Sequence, residues 1–272
     1  MYAICKNGGT EKMYTNTIQF FQHDGFCLAF QEEGQGEPIL LIHGFSSSGQ
    51  VNWVEPGWFK TLTNAGYRVI AIDNRGHGYS NKSYNPAVYT PERMASDAIA
   101  LLYHLGIEKA HIMGYSMGAR ISAFMALRVP QVIHTAIFGG LGMNLMKGGD
   151  HWKSVVEALM VDDAKRITNA RGMLFRKFAD RMKGDRRALS ACIIGATKKM
   201  MPDDIRRITV PVLVVVGTRD EIAGQPQPLV ALLSKGELLT IPDRDHMLTV
   251  GDKIYKNGVL NFLRRHKICQ NG

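Results

Sequence analysis

A serine hydroxyl is a poor nucleophile until a base takes its proton. One serine of this chain stands where that chemistry could be built. The stretch Gly114-Tyr115-Ser116-Met117-Gly118-Ala119 follows the mostly apolar residues 110–113 and precedes a helical pattern with Ile121, Phe124, Met125 and Arg128 before Pro130. Strand, sharp turn and helix, with the serine at the turn, is the context that G-x-S-x-G requires. Backbone so tightly turned is strained, and a strand and a helix pass close to it. Gly114 and Gly118 remove the Cβ atoms that would collide, and Ala119 stays small for the same reason. The helix points its first N–H groups at the serine, which suits a developing anion.

The base is expected to be a histidine oriented by a carboxylate. Nine histidines compete. His246 stands out, because it lies just past the last strand-like run, and ligands collect at the carboxyl ends of parallel strands. His104, His134, His151 and His266 sit within or beside helices or strands and read as structural or solvated. The acid should also follow a strand, and Asp220 lies just beyond the apolar run 210–216. Glu221 is its main rival; Asp243 and Asp245 are close to His246 in sequence. The loop after 132–138 offers no carboxylate until Asp150. An oxyanion needs preorganised donors. Met117, after the serine, would supply one backbone N–H, and Phe45, in the loop after 39–42, a second. His43 is read as a loop-fixing hydrogen bonder, without a part in proton transfer. His43, Gly44, Tyr115, Met143 and Trp152 are expected around the substrate.

The elements that must position these residues alternate. Residues 17–22 and 26–31 flank Asp24-Gly25, a hairpin signal. Further strands are expected at 39–42, 68–72, 110–115, 132–138, 210–216 and 237–241. Helices are expected at 53–65, from Pro91 to Leu105, after Ser116, at 226–233 and at 249–265. Strands alternating with helices mean a mostly parallel sheet covered on both faces. The alternation breaks at Leu141. Residues 141–207 carry helical patterns and no convincing strand, which divides the chain into a core of 1–140 and 208–272 and a helical insertion.

The formal net charge is +9. Thirteen Lys and Arg between Lys165 and Arg207 face four aspartates, so an excess of nine positive charges lies in that one segment of the insertion. Interleaved Met173, Phe175, Phe178 and Leu189 read as amphipathic helix with a solvated basic face. No nucleic-acid-binding motif accompanies it, so no nucleic-acid partner is expected. Cys5, Cys27, Cys192 and Cys269 form no C-x-x-C, and no His/Cys cluster has zinc spacing, so no metal is expected. No leader-like or bilayer-length apolar run is visible. A cytoplasmic monomer or homodimer with no membrane insertion is the expectation.

Taken together, His43-Gly44-Phe45, Asp73-x-Arg75-Gly76-His77-Gly78-x-Ser80, Gly114-x-Ser116-x-Gly118, Asp220 and His246 resemble the α/β-hydrolase family. They follow its order and span about residues 17–265. The resemblance implies a sheet of eight strands, a helical cap after the sixth, no cofactor, and Ser116, Asp220 and His246 as the catalytic set. Serine at the turn argues against the epoxide-hydrolase and dehalogenase branches, which place Asp there. Carboxylic-ester cleavage with a small or medium acyl group is the expected activity. Carbon–carbon bond hydrolysis, lactone or thioester cleavage, cofactor-free haloperoxidation and ligand reception in the same pocket are the alternatives.

Overall fold

A computed structural model describes residues 17–268, the side chains of Asp150 and His151 excepted. Cys5 and Cys269 lie outside the described residues, and so does the His151 ring. Strands β1 (Gln19–His23) and β2 (Phe26–Glu33) form an antiparallel hairpin. Its turn residues Asp24 and Gly25 both take positive φ, 48° and 75°, the left-handed pair that a two-residue hairpin turn demands. β2 pairs antiparallel with β4 (Tyr67–Ile72). From there the sheet is parallel through β3 (Glu37–Ile42), β5 (Ala110–Tyr115), β6 (Ile133–Gly139), β7 (Val212–Gly217) and β8 (Gly236–Ile241). The spatial order is β1-β2-β4-β3-β5-β6-β7-β8.

Successive strand residues point to opposite faces, so an uninterrupted apolar run supplies two cores at once. Ile39, Leu41, Val69, Ala71 and Met113 pack beneath α1 (Trp58–Thr63) and α9 (Lys253–Arg265). Leu40, Ile42, Ile70, Ile72 and Ile112 pack on the other face beneath α2 (Pro91–His104) and α3 (Met117–Arg128). Burying one such side chain contributes about 1.5–3 kcal/mol.

Between β6 and β7 come α4 (Lys153–Met160), α5 (Ala170–Arg181), α6 (Arg186–Gly195) and α7 (Pro202–Arg206). Val155, Leu159, Phe175, Leu189, Cys192 and Ile205 from these helices join the same buried cluster as α2 and α3. α8 (Gln227–Leu232) connects β7 to β8.

Two expected helices are interrupted. Within 53–65, a π-helical turn at Gln50–Val54 ends before Pro56, and Gly57 (φ 81°) redirects the chain into α1. The break lets Trp53 and Trp58 bury completely and meet edge-on, with ring centroids 6.1 Å apart. Within 249–265, a 3-10 turn at Thr249–Gly251 precedes Asp252, whose carboxylate caps α9 by accepting the Ile254 N–H at 2.7 Å. A helix starting at Thr249 would forgo that cap.

The loop after β4 is held by a buried ion pair. Arg75 is fully buried, and it donates from Nε to Asp97 Oδ2 at 2.6 Å and from Nη2 to Asp97 Oδ1 at 2.5 Å. Asp24 in the hairpin turn receives the same guanidinium at 3.2 Å. Hairpin, loop and α2 are thereby tied at one point. Removing one partner of such a pair strands a charge in the interior at about 3–5 kcal/mol. Asp97→Ala is therefore expected to lower the unfolding free energy by about that amount in urea titrations. Glu237→Ala, which removes the exposed partner of Arg265, should shift it by less than about 1 kcal/mol.

Candidate active site

The turn between β5 and α3 places Ser116 at φ 54°, ψ −109°, a conformation that non-glycine residues adopt only under constraint. The constraint is close packing. A Cβ on Gly118 would lie 1.9 Å from the Ile42 carbonyl oxygen, and one on Gly114 would lie 2.1 Å from the Gly118 oxygen. β3, β5 and α3 thus meet without side chains between them. The Ser116 N–H donates to Gly139 O at 2.8 Å, which locks the turn to β6. The hydroxyl has no hydrogen-bond partner among the described residues and opens onto two cavities.

His246, in the loop after β8, is 5% exposed. Its Nδ1 is 2.8 Å from Asp220 Oδ2. Asp220 Oδ1 accepts the N–H groups of Ile222 and Ala223, both at 2.8 Å. Burial alone would raise the Asp220 carboxyl. The His246 hydrogen bond and charge and the two backbone donors outweigh it, and hold the group below the usual carboxylate value. The rivals are engaged elsewhere or solvated. Asp243 pairs with Arg219 at 2.7 Å, Asp245 accepts the Met247 and Leu248 N–H groups, and Glu221 is exposed. Tyr115 donates its hydroxyl to the His246 carbonyl at 2.6 Å and sets its ring 5.4 Å from the imidazole. The sequence pattern did not signal that tie, because 131 residues separate the two.

Ser116 and Phe45 line both cavities. The inner one, about 60 Å³, also touches Met117, Arg120, Leu141, Asn144 and Trp152. The outer one, about 460 Å³, also touches Gly44, Asn52, Tyr115, Lys177, Arg181 and His246. Neither the Phe45 nor the Met117 N–H donates to another described group, which leaves both amides available to a bound oxygen.

Of the residues expected around substrate, Gly44 and Tyr115 line the outer cavity and Trp152 the inner. His43 and Met143 line neither. Both His43 nitrogens are committed, Nδ1 at 2.7 Å from Gly44 O and Nε2 accepting the Asn74 N–H at 2.9 Å. Met143 lies in a short 3-10 turn that turns its neighbour Asn144 to the cavity. Arg120 and Asn52 carried no motif. Arg120 is an isolated charge on an otherwise apolar helix face; its guanidinium donates to the carbonyls of Leu145, Lys198 and Asn144 and so fastens the insertion to α3. Burial pushes it down to about 10. Asn52 Oδ1 accepts the Gly44 N–H at 2.9 Å, which fixes the loop that carries Phe45.

The loop from Asp73 to Ser80 braces that same loop from behind. Asp73 accepts the N–H groups of Gly49 and Tyr79. A Cβ on Gly78 would fall 2.0 Å from the Asp73 carboxylate. The His77 ring packs 5.2 Å from His43 and 5.8 Å edge-on to Phe45. Among the described residues no group of three or more His, Cys, Asp or Glu could hold a metal, and no helix is long and apolar enough to cross a membrane.

The fold and this arrangement define a class. The α/β-hydrolase-fold profile matches residues 37–172, and the chain belongs to that family. It is 25% identical to a non-heme haloperoxidase of Rhodococcus erythropolis, over 88% of this chain and 97% of that one. A thermophilic esterase of Thermogutta terrifontis superposes with a TM-score of 0.74 at 23% identity, covering 92% of this chain and 98% of that one. An esterase of Exiguobacterium antarcticum gives 0.75 at 19% identity, covering 89% and 98%.

The buried histidines make this loop region acid-sensitive. Burial drives His77 down to about 3, with the nearby His43 charge adding to it, and burial drives His43 down to about 4. Asp73 and Lys82 are the other charged groups acting on His77. Both imidazoles are neutral in the fold and gain a proton on unfolding below about pH 6.5. Their stabilisation is complete above that value and is lost as pH falls toward about 4 for His43 and about 3 for His77. Urea titrations from pH 7.5 to 5.5 are expected to show falling stability. In His77→Gln the dependence should be shallower, by up to about 1.4 kcal/mol per pH unit.

Proposed function

We propose that the protein is a serine hydrolase that cleaves carboxylic esters of short acyl groups through an acyl-enzyme. The observation that carries this reading is the buried Asp220–His246 pair, with its imidazole on the wall of the cavity into which Ser116 opens. Ser116 Oγ attacks the ester carbonyl while His246 Nε2 takes its proton. Asp220 holds the other nitrogen and stabilises the charged imidazole. The carbonyl oxygen, now an anion, takes the free N–H groups of Phe45 and Met117. His246 gives its proton to the departing alcohol. Water then repeats the sequence on the acyl-serine and releases the acid.

The sidedness of the cavities supports the same reading. The departing oxygen must lie on the His246 side, which is the outer cavity, so the acyl group enters the inner one. At about 60 Å³ the inner cavity is much the smaller of the two, against about 460 Å³ for the outer, which favours a short acyl group. Residues 141–207 act as a cap over both, through Trp152 inside and Phe175 and Phe178 outside. The haloperoxidase relative favours one variation, in which hydrogen peroxide replaces water as the second nucleophile and a peracid leaves the same acyl-serine.

Wild-type protein is expected to be labelled at Ser116 by a fluorophosphonate and Ser116→Ala to escape labelling. Asp220→Asn should lower kcat/KM for p-nitrophenyl acetate by about 10³–10⁴, and the octanoate ester should be turned over far more slowly than the acetate. Labelling that survives in Ser116→Ala, or an Asp220→Asn loss below about tenfold, sinks the mechanism.

A further inference from the structure

The outer cavity has a chemical character that ester cleavage alone does not require. Lys177 and Arg181 stand one turn apart on α5 and both line it. At that spacing side chains are neighbours on one helix face, with Cβ atoms about 5–6 Å apart. Both are exposed, and neither forms an ion pair among the described residues. The contrast with the rest of the helix is sharp: Arg176 is paired with Asp180 and donates to the carbonyls of Ala158 and Val161. Among the described residues no carboxylate lines the outer cavity.

A polar residue from the turn after β3 also lines this cavity. Asn52 is 6% exposed and lines this cavity. Its Oδ1 is used by the Gly44 N–H, while its Nδ2 is buried with no hydrogen-bond partner. One wall therefore carries two unpaired cations, and among the described residues no carboxylate lines the cavity beside them.

Resting on the acyl-serine reading above, we infer that the leaving alcohol of the natural ester carries an oxyanion, a carboxylate or a phosphate, which Lys177 and Arg181 recognise. The outer cavity, at about 460 Å³, is large enough for an aromatic or sugar-sized alcohol, whereas the inner one confines the acyl group. The two ends of the ester are thus told apart by chemistry as well as by size. The cations act at the alcohol end, where binding energy orients the scissile bond against Ser116.

The test compares 4-acetoxybenzoate, 4-acetoxyphenyl phosphate and the uncharged 4-acetoxybenzamide, which share one acyl group and one ring. Wild-type kcat/KM is expected to favour the anionic esters, and the preference to shrink from about 0.01 M to about 1 M salt as the screening length contracts. Lys177→Ala/Arg181→Ala should lower the anionic-to-neutral ratio about five- to tenfold. Arg206→Ala removes charge from the same basic segment, outside both cavities, and should leave the ratio in place. The larger of the two anionic values identifies carboxylate or phosphate. A measurement that needs no variant is product inhibition of the wild type, where 4-hydroxybenzoate should bind more tightly than 4-hydroxybenzamide. A ratio unmoved by the double change, or moved equally by Arg206→Ala, overturns the inference while the esterase reading stands. Failure to turn over even 4-acetoxybenzamide, with no labelling of Ser116, sinks the underlying reading instead.

Discussion

The site depends on a piece of backbone that would not persist alone. Ser116 is held in a conformation that a side chain resists, worth of order 1–3 kcal/mol of strain. What maintains it is contact between main chains: α3 rests directly on β3 and β5 because Gly118 and Gly114 have no Cβ. The Ser116 N–H, bonded to the end of β6, removes the remaining freedom. The strain lifts the hydroxyl clear of the sheet and turns the first amides of α3 toward it. A relaxed turn would bury the hydroxyl or send it elsewhere.

Around that turn the molecule places polar groups in two layers. The inner layer meets the cavities: His246, backed by Asp220, with Phe45, Met117 and Asn52. The outer layer never touches them. Arg75 and Asp97 tie three segments together, Asp73 holds two loop amides, and the tilted rings of His43 and His77 pack behind Phe45. These groups are buried and nearly all are satisfied, so they fix loop positions that apolar packing alone leaves loose. The Asp73-x-Arg75-Gly76-His77-Gly78 motif belongs wholly to this outer layer. It is part of the family resemblance, yet none of its residues lines either cavity.

Side chains of residues 141–207 line both cavities and join the core that packs on the sheet. Arg120 links the two, because its guanidinium from α3 is spent on carbonyls at both ends of the insertion. Phe45, Trp152 and Phe175 form a cluster in which every pair of rings lies within 6.4 Å. This cluster stands where the two cavities meet. Its rings supply apolar wall to both cavities, while Lys177 and Arg181 of α5 line the outer one.

Much of the molecule was legible in the chain. An uninterrupted run such as Ile39-Leu40-Leu41-Ile42 can only be a strand covered twice, and its recurrence between helical periods prescribes a parallel sheet. Small residues flanking Ser116 report a close approach, since nothing else requires two glycines at that spacing. Local patterns also located Asp220 and His246 at strand ends, where parallel topology gathers loops. The two helix breaks rest on local signals that the helical periodicity masked: Pro56-Gly57 redirects the chain between Trp53 and Trp58, and Asp252 caps α9 through Ile254. The tertiary structure alone decided which carboxylate reaches the imidazole, that Tyr115 holds the His246 backbone, that His43 faces away from both cavities, and that Lys177 and Arg181 line the outer one. Spacing along a polymer fixes which face of an element a residue occupies. What that face meets is set by elements up to hundreds of residues away, through packing that no local window contains.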